Sequence, residues 1–239
     1  MAGLQPYQDE DLNYFKFSYL VLNEFPKALR QAFKTMWDSN YRHRHGFKVW
    51  DDSAAVRTLF SKNEGCKAKI PFNQSYLEWD CTALFQATIY SQTFALHHGT
   101  LNDVYVKPRG LSRGHFHRSV VSITGNNEET QALAIDQLRL LRNSLCHAPN
   151  SKITKVTFDQ YVKHAKDAFQ ALGVSTAPID AVGSLLESDF PTSKVRRLEQ
   201  AMNEEYKSYI KFLEDMKSDF ASKEDVAMLA RKIDEERGE

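Results

Sequence analysis

The chain of 239 residues lacks several features that would assign it to a functional class at once. It has three cysteines and no CxxC pair, which argues against both a disulfide framework and a thiolate zinc site. No apolar run approaches the roughly 18 residues that a membrane span requires. The first residues, MAGLQPYQDEDL, have neither the basic start nor the apolar stretch of a secretory signal. We therefore expect no membrane association and a cytoplasmic or nuclear location, with the cytoplasmic one favoured.

The net charge of zero hides an asymmetry along the chain. Residues 1–175 carry 21 lysines and arginines against 16 acidic residues, whereas residues 176–239 carry 10 against 15. The stretch KPRGLSRGHFHR contains four permanent cations, two histidines and no acid. A solvated loop is the ordinary interpretation of such a stretch, and attraction of phosphate groups is the leading alternative. The candidate contacts to a nucleic-acid backbone are Lys107, Arg109, Arg113 and Arg118.

Apolar periodicity predicts helices over most of the chain. Pro26 is expected to open a second helix or to kink the first. The pair Ser75 and Glu78 forms a capping box and predicts a helix over about 76–97. A second such pair, Thr157 and Gln160, predicts the start of a helix that ends at Gly173. The run SVVSIT, at 119–124, is compatible with a strand, a sheet edge or a loop.

The pattern favours an all-α fold in three parts: a helical domain over 1–175, a linker over 176–192 and a helical extension over 193–239. Apolar residues recur along the extension at spacings of 4, 3, 4, 3 and 4, namely Met202, Tyr206, Tyr209, Leu213, Met216 and Phe220. This seam lasts for only about three heptads, so packing onto the body is favoured over coiled-coil pairing. Ser222 is expected to restart a final helix, and protein partners are expected to bind 193–239.

One stretch, LRLLRNSLCHAPNS, carries the candidate catalytic residues Arg142, Asn143 and His147. It ends a helix that is predicted from Asn126 or Asn127 to about His147, because Pro149 cannot continue it. Asn143 and His147 share a helix face, but Arg142 points about 140° away from His147. A straight helix therefore cannot aim both at one small target, which favours a second helix or a second subunit. A helix C-terminal cap is the simpler role for His147.

The chemistry available to these three residues is acid–base catalysis on a phosphodiester. A histidine exchanges protons near neutral pH, and an arginine matches a phosphate bidentately and stabilises its growing charge. Asparagine can orient either group by hydrogen bonding. The reaction that fits is metal-independent RNA cleavage by the 2′-hydroxyl. We expect no cofactor: the paired histidines lack ligand partners for zinc, and Cys146 is expected to pack rather than to act as a nucleophile.

The stretch LRLLRNSLCHAPNSKITKVTFDQYVKHAKDAFQALG resembles the C-terminal half of HEPN domains, whose signature is an arginine, a polar residue and a following histidine. Two earlier stretches, NYFKFSYLVLNEFPKALRQAF and LEWDCTALFQATIY, resemble the helices of the branch found in the DAZ-interacting RNA-binding ubiquitin ligase. The resemblance covers about 10–173. It implies an all-helical bundle, dimeric, with the motifs of two subunits meeting in a cleft. It also implies ribonuclease activity for Arg142 and His147, with Asn143 as companion. Many HEPN domains only bind RNA or dimerise, so a non-catalytic dimerisation or adaptor module of a larger signalling protein is the alternative.

Overall fold

Helices supply the regular structure of this protein. The computed structural model describes residues 7–41, 48–64, 68–92, 94–95, 99–111, 114–148 and 151–237, with the side chains at 40, 41 and 216–237 outside this description. No strand occurs within these ranges, so the predicted all-α class is confirmed. No helix in the described part of the chain has the length and apolarity that a bilayer crossing demands.

The fold is a bundle arranged around its longest buried helix. In chain order the α-helices are α1 (Asp9–Tyr19), α2 (Phe25–Tyr41), α3 (Ala54–Asn63), α4 (Cys81–Ile89), α5 (Asn127–Cys146), α6 (Lys155–Ala171), α7 (Ala177–Gly183) and α8 (Thr192–Arg237). Helix α5 packs against α4, α6 and α8, and α1 packs against α6, α7 and α8. One cluster of buried apolar side chains connects them. The end of α5 therefore lies where several elements meet.

Helices α1 and α2 join through a wide π-helical turn over Leu20–Glu24. Pro26 has no backbone N–H, so a regular helix would leave the carbonyl four residues earlier without its donor. The wide turn accommodates this loss, and the N–H of Phe25 donates to the carbonyl of Leu20. Of the two outcomes expected at Pro26, the structure has an uninterrupted helical path with a local distortion.

The predicted helix over 76–97 is wrong in length. The capping box of Ser75 and Glu78 is present, but it caps only a 3₁₀ turn over Tyr76–Glu78. Trp79 then adopts an extended backbone, and Asp80 caps α4 by accepting a hydrogen bond from the N–H of Ala83 at 2.7 Å. A second capping side chain thus divides the predicted helix into two. Residues 93 and 96–98 lie outside the described part of the chain.

Two further boundaries differ from those predicted. Helix α6 begins one turn early, because Thr154 rather than Thr157 supplies the side chain that accepts at its N-terminus. Helix α8 continues to Arg237 without the restart expected at Ser222. Gly173 does end the turn after α6, with a positive φ of 68° that a residue with a side chain rarely adopts. The run SVVSIT forms bends and turns.

The segment over 176–192 contains α7 and a 3₁₀ turn over Glu187–Asp189. Ile179, Val182 and Phe190 in this segment are buried, so it packs on the bundle. Helix α8 follows and lies against α1, α4 and α5. A hydrogen bond of 2.9 Å from Ser208 to the Asp80 carboxylate links α8 to the start of α4. The first half of α8 is therefore an integral part of the bundle.

Candidate functional site

Helix α5 carries the three candidate catalytic residues in its last turns. The side chain of Asn126 accepts a hydrogen bond from the N–H of Glu129 at 3.0 Å, and Glu128 and Glu129 lie in the first turn, where the helix dipole favours anions. The helix ends at Cys146, and His147 is its C-terminal capping residue. These bounds confirm the predicted helix and place His147 at its end.

The structure places Arg142 inside the protein, where its guanidinium contacts Asn143 but does not line the cavity that Asn143 shares with His147. Its side chain is 0% exposed and its partner Glu205, on α8, is 6% exposed. Arg142 donates to Glu205 Oε1 through Nε at 2.9 Å and through Nη2 at 2.7 Å. Burial opposes the charge of Arg142, but the attraction of Glu205 outweighs it and raises the pKa of Arg142 above its ordinary value. Burial also raises the pKa of Glu205, and the charge of Arg142 counteracts this shift.

Further contacts complete the surroundings of the Arg142 guanidinium. Nη2 also donates to the Thr82 hydroxyl on α4, and Nη1 donates to Asn143 Oδ1 at 2.9 Å. The Tyr209 ring lies against the guanidinium, with the ring centroid 4.6 Å from its carbon atom. Arg142 thus joins α4, α5 and α8 and fixes the side-chain amide of its neighbour Asn143.

Asn143 and His147 line a surface cavity of about 240 Å³ at the end of α5. The cavity has walls from α5, from α8 and from the basic stretch that follows Lys107: Leu111, Gly114, Arg139, Leu140, Asn143, Ser144, His147, Tyr206, Tyr209, Ile210 and Leu213. The His147 ring meets the Tyr206 ring edge to face, with centroids 5.3 Å apart. Asn143 and His147 are thus brought together as their spacing of four predicts, and Arg142 is not among the lining residues.

Among the residues that the structure describes, Arg139 is the cation that lines this cavity, and the sequence reasoning missed it. It precedes Asn143 by four residues, as Asn143 precedes His147, so the three lie along one face of α5. Arg139 Nε donates to Asp136 Oδ1 at 2.7 Å, and Asp136 Oδ2 lies 2.8 Å from His117 Nε2. Burial raises the pKa of Asp136, but Arg139 and the hydrogen bond from His117 outweigh it and hold this pKa below its usual range.

The basic stretch supplies part of the cavity wall through Leu111 and Gly114, and several of its cations are exposed. Lys107 and Arg109 lie in a 3₁₀ turn over Lys107–Arg109 and are exposed, as is Arg118. Arg109 Nη2 forms an ion pair of 2.6 Å with Glu129 of α5. His117, at the end of this stretch, is buried against Asp136. Arg113 lies outside the described residues.

The cysteine beside the motif packs, as predicted. Burial raises the pKa of the Cys146 thiol to about 11, and it raises that of the fully buried Cys81 well above its usual range. Neither thiol is therefore an activated nucleophile at neutral pH. Within the described residues, no group of three or more potential metal ligands comes together.

No known family model, curated protein or solved structure matches this chain. Its function is inferred from the chemistry of its own residues. Besides Arg139, the sequence reasoning missed Glu205, the partner of Arg142. The sequence could have pointed to Arg139, because Arg139, Asn143 and His147 are spaced four residues apart. Nothing in the sequence, in contrast, pairs Glu205 with Arg142, which lies 63 positions away.

Proposed function

We propose that this chain is an RNA-binding domain of HEPN type, which cleaves single-stranded RNA without a metal ion at the cavity beside His147. The observation that carries the proposal is the placement of Asn143 and His147 in one cavity, with a wall contributed by the basic stretch. A cation, an amide and an imidazole are the groups that phosphodiester transfer without metal needs. Exposed Lys107 and Arg118 then contact the backbone of the RNA beyond the cavity.

The reaction is an internal transesterification. His147 accepts the proton of a ribose 2′-hydroxyl, the 2′-oxygen forms a bond to the adjacent phosphorus, and the bond from phosphorus to the 5′-oxygen breaks. The leaving 5′-oxygen takes up a proton, from the protonated imidazole or from that of a second subunit. Atoms and electrons balance without an external reactant, and the products are a 2′,3′-cyclic phosphate and a 5′-hydroxyl.

Asn143 orients the phosphate in this proposal, and Arg142 stabilises the site from inside. The hydrogen bond from Arg142 to Asn143 Oδ1 leaves the Asn143 amide nitrogen as the donor toward the cavity. Direct contact between Arg142 and a phosphate, which the resemblance to HEPN domains implies, requires Glu205 to withdraw. A homodimer that brings two copies of the cavity together is part of the proposal.

A second candidate function is a dimerisation or adaptor module without catalysis. The ion pair with Glu205 favours it, because the charge of Arg142 is already neutralised by a carboxylate of the same chain. Protein partners would then bind along α8, whose solvent-facing side carries exposed charged residues such as Glu204, Lys207 and Lys211. Both functions are compatible with a dimer.

Cleavage of labelled single-stranded RNA in EDTA separates the two functions. The first function predicts products with a 2′,3′-cyclic phosphate, and it predicts that His147→Ala abolishes cutting while the thermal midpoint changes little. His115→Ala, at an exposed histidine of the basic stretch, is the matched control and should cut normally. If the RNA stays intact and unbound at low salt while light scattering shows a dimer, the ribonuclease function is contradicted and the adaptor function is supported.

A further inference from the structure

We infer that the cavity at the end of α5 is a binding site for the phosphate of one nucleotide unit, and that Arg139 rather than Arg142 is the cation that holds it. The inference rests on the proposed function where it names RNA as the source of that phosphate. It concerns a residue outside the motif, and it assigns the three anion contacts to Arg139, Asn143 and His147.

The geometry of α5 is the first reason. Residues at intervals of four lie on one helix face, so Arg139, Asn143 and His147 present their side chains along a single line. All three line the cavity. Arg142 lies on another face, where Glu205 and Thr82 surround its guanidinium. The difficulty that Arg142 and His147 cannot reach one small target on a straight helix therefore does not arise for Arg139.

The second reason is that Arg139 is held in place from behind. Its Nε–H is bound to Asp136, which is 1% exposed and is itself held by His117. A guanidinium has five N–H donors, and within the described residues no hydrogen bond engages Nη1 or Nη2 of Arg139. These two nitrogens form the planar fork that matches two phosphate oxygens. With its Nε anchored, the side chain loses less conformational entropy on binding.

The charge of the lining residues is the third reason. The described residues that line this cavity include a cation and an imidazole but no carboxylate, and the Asp136 carboxylate behind Arg139 is shared with His117. Two other cavities in the bundle are unlike it, because carboxylates line both: Asp80 and Asp215 beside Lys69 and Lys211 in one, and Glu78, Asp80, Glu204 and Glu205 beside Lys27 and Arg30 in the other. Carboxylates in a cavity wall repel an anion, so the His147 cavity is the one of these three that suits a phosphate.

The size of the cavity limits the ligand to a small one. Its volume of about 240 Å³ lies below the range of about 300–1,000 Å³ in which drug-sized ligands bind. One phosphate with its sugar fits this space, whereas several ordered nucleotides do not. Tyr206 and Tyr209 form the wall that α8 contributes, and an aromatic surface of this kind is suited to the base. The ligand class is therefore a nucleoside monophosphate unit.

Titration with uridine 3′-monophosphate tests the site without requiring cleavage. We expect binding to the wild type to move the NMR signal of the His147 imidazole, and we expect Arg139→Gln to weaken binding at least tenfold. Lys62→Gln removes an equal charge from an exposed position on α3 and should change the affinity less than twofold. Uridine without phosphate should bind far more weakly. Equal affinity of the wild type and Arg139→Gln would overturn the inference.

A second set of variants leaves Arg139 and Asp136 untouched, in case their loss disturbs folding. Ile210 is half-buried at the cavity on α8. Ile210→Glu should weaken binding of the nucleotide at least fivefold relative to the neutral Ile210→Gln, and Ile210→Lys should strengthen it. Equal nucleotide affinity of all three Ile210 variants would contradict the presence of an anion site in this cavity.

RNA cleavage by the same variants separates this inference from the proposed function. Cleavage that Arg139→Gln leaves unchanged overturns the role of Arg139 while the proposed function stands. The opposite result is a protein that binds the mononucleotide through Arg139 but neither binds nor cuts RNA. This result contradicts the proposed function and supports the phosphate site.

Discussion

Replacing Glu205 by glutamine should destabilise the protein far more than the same change at its neighbour Glu204. Glu205 is buried and pairs with Arg142, whereas Glu204 is exposed on the same helix. Glutamine keeps the size of the side chain and an oxygen that accepts a hydrogen bond, so the change removes little except the charge. The Arg142 guanidinium would then remain buried and charged without a counter-ion.

The size of the effect follows from the geometry. Charge centres about 4 Å apart attract by roughly 4 kcal/mol at an effective dielectric constant of about 20. Loss of one partner from a buried ion pair costs about 3–5 kcal/mol in proteins generally. Thr82, Asn143 and the Tyr209 ring still contact the guanidinium and offset part of this loss. We expect Glu205→Gln to lower the free energy of unfolding by about 3 kcal/mol.

Urea denaturation followed by circular dichroism measures this difference, with Glu204→Gln as the control. Methionine at both 142 and 205 should restore most of the stability, because replacing both ions by apolar side chains of similar volume is often neutral. The double-mutant cycle then gives a coupling energy of several kcal/mol. A loss below about 1 kcal/mol, equal to that of the control, would show that α8 does not bury this pair in solution.

The remaining predictions concern acid stability, thiol reactivity and salt dependence. The pKa of Asp136 is lower in the folded than in the unfolded chain, so its stabilising contribution is present above about pH 4 and is lost as the pH falls through the folded value. The difference in free energy of unfolding between wild type and Asp136→Asn should therefore shrink below about pH 4. A difference that stays constant from pH 7 to pH 2 contradicts this prediction. With a pKa of about 11, Cys146 carries thiolate in about one molecule in a thousand at pH 8, so iodoacetamide should label its peptide much more slowly in the native than in the unfolded protein. Rapid native labelling in mass spectrometry would argue against the burial. Replacing Lys107 and Arg118 by glutamine should weaken RNA binding and reduce the slope of log K against log salt by about 1.4, since each single-strand phosphate contact contributes about 0.7. An unchanged slope would exclude the basic stretch as a backbone contact.

The sequence predicted α5 well because its signals are local. Asn126 caps the helix, glutamates occupy its first turn, and its end falls at His147 as expected. The error at 76–97 has a local cause as well: two capping side chains, Ser75 and Asp80, lie five residues apart, and the second one starts the α-helix. Choosing between two adequate caps depends on packing, which local sequence does not reveal.

The candidate site was predicted in part, because its geometry depends on α8. The shared face of Asn143 and His147 follows from their spacing and is present. The direction of the Arg142 side chain also follows from helix geometry. The burial of Arg142, however, depends on Glu205, and no local sequence pattern connects these two residues. Arg139 was omitted because the resemblance directs attention to the arginine adjacent to Asn143. The catalytic roles of Arg142, Asn143 and His147 stay predictions.

The wide turn before Pro26 sets the rotational phase of the first helix. One extra residue in a helical turn rotates everything before it by about 100° relative to everything after it. Phe17 on one side of the turn and Phe33 on the other are both completely buried, although a straight helix of the same length would orient their faces differently. Deleting a single residue between Leu20 and Glu24 would therefore straighten the helix and keep the buried faces of α1 and α2 in phase, whereas a regular α-helical path through all of the present residues would turn the buried face of α1 away from the core. At this point in the chain, regular helical geometry and a well-packed interior exclude one another.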